Sequence, residues 1–364
     1  MKGLTPQERL IFERISTDPF VEQHDLAASL GLGRSTVANH IAQLVQKGWL
    51  LGRAYQIAER NRIVCFGGAV MDRKYHAAET LQAGTSNPVS SISTFGGVAR
   101  NVAENLARLE ASTAMISVVG DDESGRQLLR QLQLLGVDVS HVSINATVNT
   151  AEYAALLQPD NSLAFGIADM GIFENLTVEK LNADWPQLMS ATWVFADCNL
   201  PANTVRELIA RSRGSRFKLA VDAVSAHKIL RLPTDMSGID ILFLNITEAI
   251  SYLRAQENTP PEHLVEELLS RGVAAVVMSV GEQGLWIADH QGIRHKKAIP
   301  ATVVDVTGAG DSLVSGTLYS LLNGEPIDVA VGVGTYLAKL TVETDGSVRN
   351  DLTPALLKHQ QTVK

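Results

Sequence analysis

From Ile63 onward the chain alternates short apolar runs with amphipathic stretches, and this rhythm limits its fold more than any other feature of the 364 residues. Apolar runs of strand length fall at 63–66, 113–118, 193–196, 218–221, 241–244 and 275–279. Helical spacing of apolar residues fills much of the space between them, for example over 98–109, 125–135 and 261–271. Strands alternating with helices imply an α/β fold, a parallel sheet covered on both faces. Two stretches break the rhythm. Residues 81–95 and 153–168 read as β-rich excursions, the second turning at Pro159–Asp160–Asn161. They predict a small β lid, spanning about 72–95 and 150–170, that can bury a substrate during chemistry.

Composition changes at Asn61, which divides an N-terminal domain, 1–60, from a body, 61–364. Thr5 and Pro6 open an amphipathic helix carrying Leu10, Ile11, Phe12 and Ile15. A second short helix is expected around 25–30. The Gly31–Leu32–Gly33 turn then leads to a third helix, with Val37, Ile41, Leu44 and Val45 on one face. Gly48 ends it, and 49–57 has the pattern of a small β-ribbon. That order, helix, helix, turn, helix, ribbon, is the order of a winged helix-turn-helix.

Charge follows the same division. The chain carries a net charge of −8, yet residues 1–62 hold eight Lys/Arg against six Asp/Glu, so the body is the acidic part. This excludes a chain that coats nucleic acid along its whole length, and it suggests two modules with different partners. The two cysteines, Cys65 and Cys198, lie beside strand-like sequence and are expected as reduced core residues. The start, MKGLTPQERL, lacks the apolar core of a signal peptide, and no apolar run nears the ~18 residues that span a bilayer. These features predict a soluble, cytoplasmic protein without a membrane segment.

The string Asp305–Val306–Thr307–Gly308–Ala309–Gly310–Asp311 carries the chemistry. Its small residues let backbone N–H groups of Gly308, Ala309 and Gly310 converge on an anion. A helix expected over 312–322 adds the positive end of its dipole. Asp311 at the edge of this nest is placed to take a proton from an attacking hydroxyl. On these residues alone, a helix-entry turn capped by Asp311 is the other reading.

DVTGAGDSLVSG resembles the signature near the C-terminus of the ribokinase (phosphofructokinase-B) family, and further pieces of that pattern occur in order. FGGVARNVA at 95–103 resembles its N-terminal signature, which implies sugar contacts from Gly96, Gly97 and Asn101. Asp72 matches the aspartate that binds sugar hydroxyls. Asn245–Ile246–Thr247–Glu248 matches the NxxE motif that arranges metal and phosphates. Ser279, Gly281 and Gly284 match a nucleotide-site strand and glycine turn. The resemblance implies a Rossmann-like α/β sandwich with a β lid, Asp311 as general base, ATP as donor and Mg²⁺ acting with Glu248. Asp305 and Thr307 match positions that hold a monovalent cation, which implies a site for K⁺.

The N-terminal segment LAASLGLGRSTVANHIAQLVQKGWL resembles bacterial winged-helix regulators. By that resemblance Arg34, Ser35, Thr36, Asn39 and His40 are candidate DNA contacts. The alternative is a three-helix appendage used for dimerisation. Members of both families often act as dimers, which implies a homodimer.

Within the ribokinase family, the stretches 194–199 and 221–228, with 153–157 and 167–170, resemble the branch that phosphorylates pseudouridine. Recognition of a uracil-like ring makes Thr150, Tyr153 and Asp169 candidates for hydrogen bonds to it, against lid packing and turn capping. Another nucleoside, such as inosine or cytidine, or a free sugar such as ribose is the alternative substrate. A transcription regulator whose kinase-like body senses a ligand is the alternative class.

Overall fold

The computed structural model describes residues 3–51 and 61–358. Thirteen strands form two sheets among these residues. They are β1 (Arg62–Phe66), β2 (Val70–Ala77), β3 (Val89–Gly96), β4 (Ser112–Gly120), β5 (Asp138–Asn145), β6 (Glu152–Leu157), β7 (Leu163–Asp169), β8 (Trp193–Asp197), β9 (Lys218–Asp222), β10 (Ile241–Asn245), β11 (Val276–Ser279), β12 (Leu285–Asp289) and β13 (Gly292–Lys296).

The large sheet runs β13-β12-β11-β10-β9-β8-β1-β4-β5. From β11 to β5 every pairing is parallel, whereas β11–β12 and β12–β13 are antiparallel. The expected parallel sheet is therefore a mixed one. The difference lies at its edge, where the glycine turn after Ser279 folds the chain back as a hairpin instead of into a helical crossover. Strand β1 is buried along its whole length, as a central strand covered on both faces must be. Its alternate residues enter different cores: Val64 and Phe66 pack on one side of the sheet, Ile63 and Cys65 on the other. Both cysteines are buried and free.

The second sheet, β3-β2-β6-β7, is the lid. Residues 81–88, expected within its first β excursion, instead form the turn before β3, and β2, most of it within the expected lid bounds, supplies the neighbouring strand. The register sets Asp72 opposite Thr94 and Tyr153, and Tyr153 opposite Ala168. Side chains alternate along a strand, so these four share one face.

The N-terminal helices Pro6–Thr17, Gln23–Leu30 and Arg34–Gln46 enclose their own core of Ile11, Ile15, Leu26, Val37, Ile41 and Leu44. Thr5 and Glu8 form a capping box on the first helix. Most of the expected ribbon at 49–57 lies outside the described residues. The three helices meet the body at the N-terminal ends of the parallel strands. Gly48 sits so close to Met189 that a Cβ there would lie 2.2 Å from its carbonyl carbon. The Arg216 guanidinium stacks 4.2 Å from the Trp49 ring, whose other neighbour is Phe12. No helix among the described residues is long and apolar enough to cross a membrane.

Candidate active site

The C-terminal ends of β1, β8, β9, β10 and β11 open onto one rim, where an α/β sheet offers its ligand crevice. The last four each deliver a polar group there. Asp197, closing β8, is buried and accepts from the backbone N–H groups of Gly68 (3.0 Å) and Ala99 (2.9 Å). It thus fixes the loop after β1 against the helix Val98–Arg108. Asp222 closes β9, Asn245 closes β10 and Ser279 closes β11. With Glu248, Gly310 and Asp311 these three line a cavity of about 160 Å³.

The glycine turn folds more tightly than the sequence suggests. Its helix begins at Ala309 rather than at 312, so Asp311 lies in the first turn. Gly308 caps that helix in the left-handed region at φ 79°, and a Cβ there would meet Ser347 O at 2.0 Å. The Ala309 N–H closes the turn onto Val306 O at 3.2 Å. Of the three expected anion-hole donors, Ala309 is therefore the one already committed. A Cβ on Gly310 would meet nothing within 4 Å, so the wall of the cavity is open above the helix N-terminus.

Asp311 is joined to the opposite wall. Asn101 Nδ2 donates to its Oδ2 at 2.7 Å across 210 positions of sequence. Removal from water lifts the Asp311 carboxyl to about 6; Asn101 and Arg100 oppose that rise, whereas the charges of Asp197 and Asp72 add to it. Asp72, on the lid, is likewise lifted to about 6 by desolvation, against the pull of Arg100 and Lys74. Gly96 is needed for Asp72 to be there at all, since a Cβ would stand 1.9 Å from Asp72 Oδ2. Gly97 caps the helix that carries Asn101.

The NxxE residues form a capping box. Asn245 N–H donates to Glu248 Oε2 at 2.8 Å, and Glu248 N–H donates to Asn245 Oδ1 at 2.9 Å. One Glu248 oxygen thus orders the helix N-terminus that faces the cavity. Burial raises the Glu248 carboxyl, and burial together with the charges of Glu248 and Asp311 raises Asp222 well above the usual range. A wall this rich in carboxylates fits a divalent cation shared with phosphate. Among the described residues no cluster of three or more His, Cys, Asp or Glu could hold a metal ion by itself.

Five expected positions turn out differently. Thr150 is buried, its hydroxyl donating to Asp122 Oδ1 (2.7 Å) and accepting from Gly120 N–H (2.9 Å). It caps the turn after β4, with its hydroxyl proton already given to Asp122. Asp169 is exposed and pairs with Glu152, on the lid face opposite Asp72 and Tyr153. Gly281 and Gly284 shape the β11–β12 turn, and neither lines the cavity as Ser279 does. Asp305 has partners on both of its oxygens. It accepts from Thr307 through N–H (2.8 Å) and hydroxyl (2.6 Å), and its other oxygen takes Lys74 Nζ at 3.0 Å.

Sequence reasoning missed Arg100, Lys74, Asp197 and Asp222 as parts of this wall. Asp197 and Asp222 each end an apolar run, which was the available signal; Arg100 and Lys74 gave none. In the N-terminal domain, Arg34, Ser35, Thr36 and Asn39 are exposed on one helix, and His40 contacts Gln7 at 3.1 Å.

Residues 60–354 match the model of the pfkB family carbohydrate kinases. An uncharacterized sugar kinase of Escherichia coli strain K12, YeiI, is 30% identical over 87% of this chain and 88% of its own length. That share exceeds what residues 60–364 alone can hold, so the likeness reaches into the N-terminal domain. The pseudouridine kinase of the same organism is 28% identical over 82% of this chain and 95% of its own. A carbohydrate kinase from Agrobacterium tumefaciens superposes with a TM-score of 0.73 at 27% identity, covering 83% of this chain and 97% of that one.

Proposed function

We propose, from the premise that the chain belongs to the pfkB family of carbohydrate kinases, that it phosphorylates the 5′-hydroxyl of pseudouridine with ATP. Its relatives are phosphotransferases that act on an alcohol group, and so is this chain. The observation that carries the reading is the Asp311 carboxylate, held by Asn101 at 2.7 Å in the first turn of a helix whose N-terminus faces an open cavity.

In this reading Asp72 orients the substrate hydroxyls and Asp311 receives the proton of the attacking one. The substrate oxygen bonds to the γ-phosphorus as the bond from that phosphorus to the bridging oxygen of ADP breaks. First-turn N–H groups and the helix dipole stabilise the charge on the phosphoryl oxygens. Glu248 and Asp222, which line the cavity, would hold Mg²⁺ there, and the ion would supply further positive charge to the phosphates. The 28% identity to a pseudouridine kinase supports the substrate, and Tyr153, which shares a lid face with Asp72, is the remaining candidate for contact with the base.

The reading extends to the N-terminal domain, a DNA-binding winged helix whose exposed Arg34, Ser35, Thr36 and Asn39 enter the major groove of a regulatory site, with His40 beside them. A homodimer would present two such helices. Salt dependence tests this part, because phosphate contacts weaken steeply as salt rises. Binding that is indifferent to salt, or absent on every promoter fragment, would remove it.

The substrate is tested by ADP release with pseudouridine, uridine, cytidine, inosine, adenosine, ribose and fructose 6-phosphate in the presence of Mg²⁺. Selectivity for pseudouridine supports the proposal. Preference for another compound keeps the kinase and replaces the substrate. Binding without turnover favours a ligand-sensing regulator.

A further inference from the structure

The helix Val98–Arg108 carries an arginine that is 2% exposed, Arg100. A guanidinium has five donors and no acceptor, so every polar group it meets inside the protein must accept. Arg100 Nη1 donates to Phe95 O at 2.8 Å and to Asn101 Oδ1 at 2.8 Å, while Nη2 donates to Gln131 Oε1 at 2.7 Å and to the Glu104 carboxylate. The amide of Asn101 is thereby polarised in one sense. Its oxygen has to face Arg100, so its nitrogen has to face away, and what it faces is Asp311. The reversed amide would set NH₂ against a guanidinium and a carbonyl oxygen against a carboxylate, two repulsions in place of two bonds.

We infer that Arg100 is a positioning residue for phosphoryl transfer. It locks Asn101 with only its donor toward Asp311, so that one carboxylate oxygen is held and the other is left for the substrate hydroxyl. The inference rests on the reading of Asp311 as the base. Arg100 is itself braced from behind. Glu104, 1% exposed, also accepts from Arg108 Nε at 2.8 Å, and Arg108 Nη1 reaches Asn350 O at 2.6 Å. Lysine cannot replace this fork, since a single ammonium does not reach Asn101, Gln131 and Glu104 in one plane.

Charge adds a second readout. Asp311 is faced by Arg100 and Asn101 from their helix, by Asp72 from β2, by Asp197 from the end of β8 and by Asp222 from the end of β9. Arg100 is the positive group in that set, so its removal raises the Asp311 pKa. Activity that needs the carboxylate is then lost at a higher pH.

The test uses the full chain with ATP, Mg²⁺ and whichever compound of the substrate panel the unaltered protein turns over fastest. Arg100→Met, Arg100→Lys, Asn101→Ala, the double variant Arg100→Met/Asn101→Ala and Asp311→Asn are compared. For Arg100→Met the expectation is a kcat lower by roughly 10–100-fold, a KM for ATP within about twofold, and an acid limb displaced upward by about half a pH unit or more. Arg100→Lys should restore the limb but only part of the rate. The double variant should be no slower than Asn101→Ala alone, because Arg100 acts through that amide. An unshifted acid limb, or rate losses that multiply in the cycle, overturns the inference whatever happens to Tm. If Arg100→Met does not fold, Arg100→Lys in the two Asn101 backgrounds decides by the same cycle. Near-normal turnover in Asp311→Asn would instead sink the base assignment, an outcome distinct from failure of Arg100 alone.

Discussion

Lys74 of the lid strand β2 places its Nζ 3.0 Å from Oδ2 of Asp305, two residues before the turn that leads into the helix of Asp311. The contact ties the lid to the loop of the candidate anion hole. It also sets a fixed positive charge where the family resemblance implies a monovalent cation. Exchange of K⁺ for tetramethylammonium at constant ionic strength should therefore change turnover less than about twofold. Lys74→Ala should lower turnover and make it respond to K⁺, since Asp305 regains an open oxygen. Strong K⁺ activation of the unaltered protein would show that the ion competes successfully with Lys74.

Asp311→Asn should do two things that a merely damaging substitution does not do together. Turnover should fall by roughly 10²–10⁴ if the carboxylate is the base. Stability near pH 7.5 should rise. The folded-state pKa of about 6 stands above the ordinary 3.8, so the stabilising state is the protonated one. Its contribution is fully present below about 4 and is lost as pH rises through 6. Asparagine keeps the neutral form at every pH. Tm should therefore increase at pH 7.5 and be nearly unchanged at pH 4, in thermal melts without ligand. A lower Tm at both pH values would count against the charge argument.

Gly96→Ala should act on the sugar side alone. The added Cβ overlaps Asp72 Oδ2, at 1.9 Å, so Asp72 must swing away. KM for the acceptor should rise by roughly tenfold or more while KM for ATP stays within about twofold. Equal effects on both substrates would indicate a general distortion of the site.

At the other end of the sheet, Arg216→Ala should loosen the N-terminal helices without touching catalysis. The stack on Trp49 is worth about 0.5–2 kcal/mol by the usual range for such pairs. Emission from Trp49 should shift to the red, with kcat and KM unchanged. A loss of turnover would mean that the two modules are coupled through β9.

Much of this was legible in the sequence, and what escaped has a common cause. The apolar runs gave six strands of the large sheet, because strands buried on both faces write uninterrupted Val, Ile, Leu and Phe. Strand β2 fell largely within the lid's expected bounds but was not read as a strand, because its run, VMDRKYHA, is polar at alternate positions. Gly96, Asp72, Asn101 and Asp311 lie in motif strings, and the fold makes them neighbours. Thr150 and Asp169 were chosen as polar lid residues, but a side chain's direction depends on strand register and on who else needs its hydroxyl. Neither can be read from one strand alone. Arg100 escaped because its role exists only once Asn101 and Asp311, separated by 210 positions, are neighbours.

Strand β9 starts two residues after Arg216, where the N-terminal helices dock, and ends at Asp222 in the wall of the cavity. Five residues of extended chain span only about 13–17 Å. The strands thus have two unlike ends, one lined with carboxylates and facing the cavity, the other a mounting plate for the N-terminal helices. Anything bolted to that plate leaves the substrate's entry and exit clear. It also rests on the large sheet and not on the lid, with Arg216 and Met189 as its contacts.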